Sequence, residues 1–163
     1  AATGNIITNK TAGTIIQIVN VTTGAVATGT TQMVGDDTIP QNDEGDEYMT
    51  LAVTPTDSSN KLIINVRANV IHSGTAGAHY GALFQDSTAN ALATAWAAKN
   101  ATANNPTMLV IDHYMTAGTT SETTFKFRSG ISVSGTTTFN GVLGARFFGG
   151  SFASSITITE VAT

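Results

Sequence analysis

"LIINVRANV", Leu62 to Val70, decides the fold class. Leu62, Ile64, Val66, Ala68 and Val70 fall on one side of an extended chain, and Asn65, Arg67 and Asn69 on the other. Apolar and polar residues alternating with period two mark a half-buried β-strand, because successive side chains in a strand point to opposite faces. The same alternation recurs on both sides. In "YMTLAV" (48–53) Met49, Leu51 and Val53 oppose Tyr48, Thr50 and Ala52, and in "SSITITEV" (154–161) Ile156 and Ile158 oppose Thr157 and Thr159.

Working outward, further strands are expected at Ile15–Val21, Tyr80–Gln85, Thr107–Met115, Thr123–Ser129 and Ala145–Phe152, with a short one at Thr137–Phe139. Turn chemistry separates them at 55–60 ("PTDSSN"), 73–77 and 116–120. Asn140–Gly141 reads as a hairpin turn, because both residues tolerate positive φ. Composition agrees: Ser and Thr make up roughly a quarter of the chain, Gly contributes 16 residues, and only 11% are charged. Such a chain suits strands better than surface helices. One helix candidate remains, the Ala-rich "STANALATAWAAKN" (87–100), read as a long decorated loop with a helical turn or two and Trp96 exposed on it. Eight or nine antiparallel strands with no βαβ alternation predict an all-β, two-sheet sandwich of jelly-roll type. A length of 163 residues fits one domain: residues 15–163 form the sandwich and residues 1–14 an N-terminal arm or linker.

Composition excludes several chemistries. With no cysteine, disulfides, zinc fingers and thiolate catalysis are out. Seven Lys plus Arg, dispersed through a chain of net charge −4, leave no footprint for phosphate backbones, so nucleic acid is not expected as a partner. Apolar runs fall short of the roughly 18 residues that span a bilayer, so membrane insertion is not expected either. No basic segment followed by an apolar core opens the chain, which argues against a retained signal peptide.

The acidic run "DDTIPQNDEGDEYMT" (36–50) is the main candidate for chemistry. An EF-hand loop requires Gly at its sixth place, and counting from Asp36 that place is Gln41. A looser cation site among Asp43, Glu44, Asp46 and Glu47, or a catalytic carboxylate pair, competes with a solvated loop, and nothing in the run isolates one acid from the others. His72, His79 and His113 show no metal-ligand spacing and read as surface or interface residues, His72 and His79 bracketing a Gly-rich turn. Asp112 and His113 are adjacent in a strand and face opposite ways, so they are no dyad. Serine lacks a nucleophile elbow, and phosphate-binding glycine patterns are missing. Asn-X-Ser/Thr at Asn9, Asn20 and Asn100 is expected by chance in so Thr-rich a chain. The expectation is a non-enzyme with no catalytic residue, metal or cofactor. His72, His79, Tyr80 and Trp96 are the candidate ligand-contact residues in loops; Trp96, Tyr80, Tyr114 and Tyr48 are the aromatics able to stack on a sugar ring, Trp96 the best exposed of them. Phe147 and Phe148 would place an aromatic on each face of one strand, one of them available for a subunit contact.

Several blocks in order, "DDTIPQNDEGDEYMTLAVTPTDSSNKLIINV", "ALFQDSTANALA", "MTAGTTSETTFKFRSG", "GTTTFNG" and "GARFFGGSFASSITITEV", resemble a domain that recurs in bacteriophage tail-fibre and other virion-surface proteins. The resemblance runs from Ile15 to Val161. It implies a non-enzymatic virion structural protein, a homotrimer similar to the jelly-roll heads of phage fibres and of tumour-necrosis-factor-like proteins. Its partners would be other capsid or tail proteins, its location the virion surface after assembly in the host cytoplasm. Two roles are compatible: a capsid-decoration or tail-fibre module, or a receptor-binding tip that grips a host cell-surface glycan. The resemblance also implies that Asp36 to Glu47 is a structured connection into the strand near Tyr48.

Overall fold

A computed structural model describes residues 11–98 and 102–163. Two antiparallel sheets face each other. The first contains β1 (Ile15–Thr23), β12 (Ser154–Val161), β4 (Lys61–His72) and β7 (Pro106–Thr116) in that order, with β9 (Thr137–Phe139) and β2 (Ala27–Gly29) continuing beyond the upper part of β4. The second runs β3 (Asp46–Val53), β8 (Thr123–Ile131), β5 (Ala78–Gln85), β6 (Ala93–Ala98). Since β3, β5, β6 and β8 lie in one sheet and β4, β7 and β12 in the other, the chain crosses between sheets repeatedly, as a jelly roll does.

The alternation in β4 is realised as read: Leu62, Ile64, Val66, Ala68 and Val70 are fully buried. From the same sheet Leu109, Ile111, Ile156 and Ile158 point inward, and Met49, Val53, Leu83, Phe125 and Phe127 meet them from the second sheet. Burying each such side chain contributes about 1.5–3 kcal/mol, so this interior supplies the main driving force.

Along one edge β4 has two successive partners. β12 pairs with Lys61–Arg67 and β9 with Val70–His72. At the seam, Asn69 N–H donates to Ser154 Oγ (2.9 Å), Ser154 Oγ–H to Asn140 Oδ1 (2.5 Å), and Asn140 Nδ2 to the Thr23 carbonyl (2.7 Å). These buried polar groups replace the ladder where one partner stops and the next begins.

Four sequence expectations are corrected. Residues 87–100 hold no helix among those described; 93–98 form β6, because Ala93, Ala95 and Ala97 pack on the core with period two. Strand 145–152 is cut short: β11 is only Ala145–Arg146, paired with β10 (Gly141–Val142), and a 3₁₀ turn at Phe148–Gly150 follows. Asn140 does adopt positive φ (55°), but the hairpin turn lies at Leu143–Gly144, φ 52° and 75°, while Asn140 is the buried seam residue. His72 and His79 are not loop residues; they end β4 and begin β5, fully buried, with ring centroids 6.4 Å apart edge to face. Their even and odd positions in those strands turn both rings into the sandwich. Asn9, Asn100 and most of the proposed arm lie outside the described residues. Gly13 and Thr14, given to that arm by the sequence reading, are paired with Ala162.

Candidate functional site

The acidic run is a strap, and its hydrogen bonds show why. Asp46 accepts from Thr31 N and Oγ1 (both 2.9 Å), Glu44 from Val34 N (3.0 Å) and Gln41 N (2.9 Å), and Asp36 from Thr38 N (2.8 Å). Arg128 donates to the carbonyls of Glu44 (3.0 Å) and Gly45 (2.6 Å). Carboxylates that accept two backbone or hydroxyl donors pin a chain lacking sheet pairing. The strap crosses the outer face of the second sheet and buries Met33 against Ala82 and Phe84, a small second core. Its path is close: a Cβ on Gly130 of β8 would lie 2.7 Å from the Thr31 carbonyl.

Between the middle of the strap and the β5–β6 pair a groove opens. Tyr80 of β5 lies opposite Trp96 of β6 in the register, and both line the groove with Gly35, Asp36, Thr38 and Thr94. Its volume is about 180 Å³. Trp96 is 67% exposed and stands on a strand whose inward positions are all Ala, so it contributes little to packing. Tyr80 and Trp96, two of the residues singled out from the sequence, are thus brought together, Tyr80 on its expected strand and Trp96 on a strand instead of a loop. His72 and His79 lie inside the sandwich and do not reach this surface. Asp36 and Gly35 were missed as its companions, since only the strap's path brings them within reach of a strand 60 residues away.

A second surface is the outer face of the first sheet. The register aligns Ile18, Thr159, Ile63 and Tyr114 in one row across β1, β12, β4 and β7. Next come Asn20, Thr157, Asn65 and Asp112, with Asn65 Nδ2 donating to Asp112 Oδ1 (2.7 Å), then Thr22, Ser155, Arg67 and Val110. Ile18 is 59% and Tyr114 62% exposed, and Val110 and Met108 are exposed further along β7, beyond the polar row. Exposed apolar side chains thus stand on a strand face that also carries a polar row through Asn65 and Asp112. Asp112 faces outward here, and His113 inward, where burial lowers its pKa. Phe147 and Phe148 form a third feature: on the 143–152 loop their centroids lie 4.1 Å apart and Phe152 packs edge-on, leaving Phe148 69% exposed. They do not straddle a strand, because the backbone turns at Phe148 (φ 46°).

No protein-family model and no curated relative matches the chain. Solved structures do resemble it. The Eiger tumour-necrosis-factor protein from S. frugiperda superposes with a TM-score of 0.50 at 8% identity, over 89% of this chain and 93% of that one. The infectious bursal disease virus VP2 subviral particle gives 0.39 at 12% identity, over 90% of this chain and 38% of that one, and dimeric latent PorU from Porphyromonas gingivalis 0.41 at 10%, over 94% and 14%. At such identities the likeness is one of fold, and the first of these shows a tumour-necrosis-factor-like jelly roll.

Proposed function

We propose that the chain is a non-enzymatic structural module of a virion surface, of the bacteriophage capsid-decoration or tail-fibre kind, working as a homotrimer among other capsid or tail proteins. The observation that carries this reading is the set of exposed apolar side chains on the outer face of the first sheet, Ile18, Tyr114, Val110 and Met108. Ile18, Met108 and Val110, each still about half exposed, would contribute about 1–1.5 kcal/mol apiece on burial, before the entropic cost of association. The ordered blocks that resemble phage surface domains, now found in a jelly roll, support the virion setting. The exposed Phe147–Phe148 pair is a second candidate subunit contact.

Light scattering over a range of concentrations tests the reading. A mass about three times the 16.7 kDa chain is expected, falling to the monomer in an Ile18→Lys, Tyr114→Lys double variant whose circular dichroism is unchanged. A wild-type protein that stays monomeric overturns it.

A further inference from the structure

The Tyr80–Trp96 groove goes beyond the structural reading and does not rest on it, because monomer and trimer alike could present it. We infer that this groove is a saccharide subsite for one neutral pyranose ring, with Trp96 as stacking platform and Asp36 and Tyr80 as hydroxyl partners.

Four observations converge. Trp96 is the chain's only tryptophan and stays largely exposed on a strand of alanines and one threonine. A flat apolar face held open on a rigid strand matches the C–H face of a pyranose, since an indole offers a broad π surface at low entropic cost. The polar rim is preorganised. Asp36 Oδ1 accepts from both Thr38 N (2.8 Å) and Thr38 Oγ1 (2.5 Å), which fixes the carboxylate and leaves Oδ2 for a ligand hydroxyl. Those two hydrogen bonds also lower the Asp36 pKa, so the group is an acceptor at neutral pH. Gly35 lets the strap lie directly against the phenol, which brings Asp36 to the groove: a Cβ there would sit 2.2 Å from Tyr80 Oη. Finally, about 180 Å³ falls below the roughly 300–1,000 Å³ of drug-sized sites and suits a single ring.

Charge narrows the ligand. No Lys or Arg lines the groove, and Asp36 stands beside Asp37 in a chain of net charge −4, so an acidic sugar is repelled. A quaternary ammonium would also suit aromatic rings near a carboxylate. Such cations are boxed by ring faces on several sides, whereas Gly35, Thr38 and Thr94 complete this wall.

Because Trp96 is the sole indole, its emission reports directly on the site. The intact chain is titrated with methyl β-galactopyranoside, methyl β-glucopyranoside and N-acetylglucosamine, with sialic acid and choline alongside. At least one neutral sugar is expected to shift Trp96 emission saturably, with a Kd of order 1–10 mM as befits one ring, while sialic acid does not. Asp36→Asn should weaken binding about tenfold and Gly35→Ala should weaken it too. Trp96→Ala should abolish it in saturation-transfer NMR, with the melting temperature unchanged because the ring is exposed. The inference is overturned if no neutral sugar responds up to roughly 100 mM, if Asp36→Asn binds as well as wild type, or if choline alone saturates the signal. It is also overturned if the emission tracks protein concentration in place of sugar, which would make the groove a subunit contact. Light scattering of the same samples reads the oligomer separately, so either proposal can fail without the other.

Discussion

Glu160 shows how one residue departs from its pattern. It follows Ile156 and Ile158 on the inward face of β12 and is fully buried. Its carboxylate accepts from Asn60 Nδ2 (2.6 Å), Gln17 Nε2 (2.5 Å), and Thr56 N and Oγ1 (both 2.8 Å). Desolvation raises its pKa, but these hydrogen bonds outweigh it and bring the value below the usual 4.5. With the folded pKa depressed, Glu160 stabilises the protein above the unfolded value, and that contribution is lost as pH falls through the folded one. Thermal melting followed downward from pH 6 should therefore show a decline on the acid side that Glu160→Gln reduces. At pH 7 the variant should lose about 2–3 kcal/mol, because its amide N–H₂ must face either the Gln17 donor or the Asn60 and Thr56 donors, whichever way it is turned. Tyr48 is a second departure. A bulge between Glu47 and Met49 turns it inward onto Phe139, with centroids 5.0 Å apart and planes 17° from parallel, where the alternation had put it with Thr50. Burial and the nearby Asp46 charge push its phenol pKa up.

At the scale of elements, the strap and the seam are where local sequence is least informative. The acidic run 36–50 reads by composition as a solvated loop, and only the resemblance implies a structured connection there; what orders residues 31–45 is Met33 sliding under to meet Phe84, and carboxylates placed to cap backbone N–H groups. Gly130→Ala should push the strap off β8, with a loss of stability and faster hydrogen exchange at 31–45 while the β4 and β7 amides stay protected. The seam depends on one hydroxyl: Ser154→Ala leaves the Asn69 N–H and Asn140 Oδ1 buried without it, and chemical denaturation should show a loss of about 1–3 kcal/mol. β6 teaches the complementary lesson. Ala has high helix propensity, yet an alternating Ala face beside a core of Phe side chains is filled better by a strand, and tertiary packing overrides propensity.

For the whole molecule, β12 is the organising strand. It lies between β1 and β4, so segments from both ends of the chain meet at the middle of one sheet. Pairings this remote in sequence make slow folding the expectation, in the range of milliseconds to seconds by stopped-flow. Shortening the chain before Ser154 should abolish cooperative unfolding altogether, since it removes Ile156, Ile158 and Glu160 together. We further propose that residues 13–163 melt as one domain without the preceding segment; two separate transitions would refute this.

The amino-acid sequence by itself determined the all-β class, the inward faces of β4, and the middle of β3 and β12, because strand periodicity is written in neighbouring residues and burial follows from it. Only the tertiary structure decided that His72 and His79 are interior, that the Phe147–Phe148 pair caps a turn, that the acidic run straps a sheet, and that Asp36 arrives beside Trp96. Those outcomes depend on which distant strands pair and what space is left between them, and pairing is a property of the packed sandwich that no local pattern encodes.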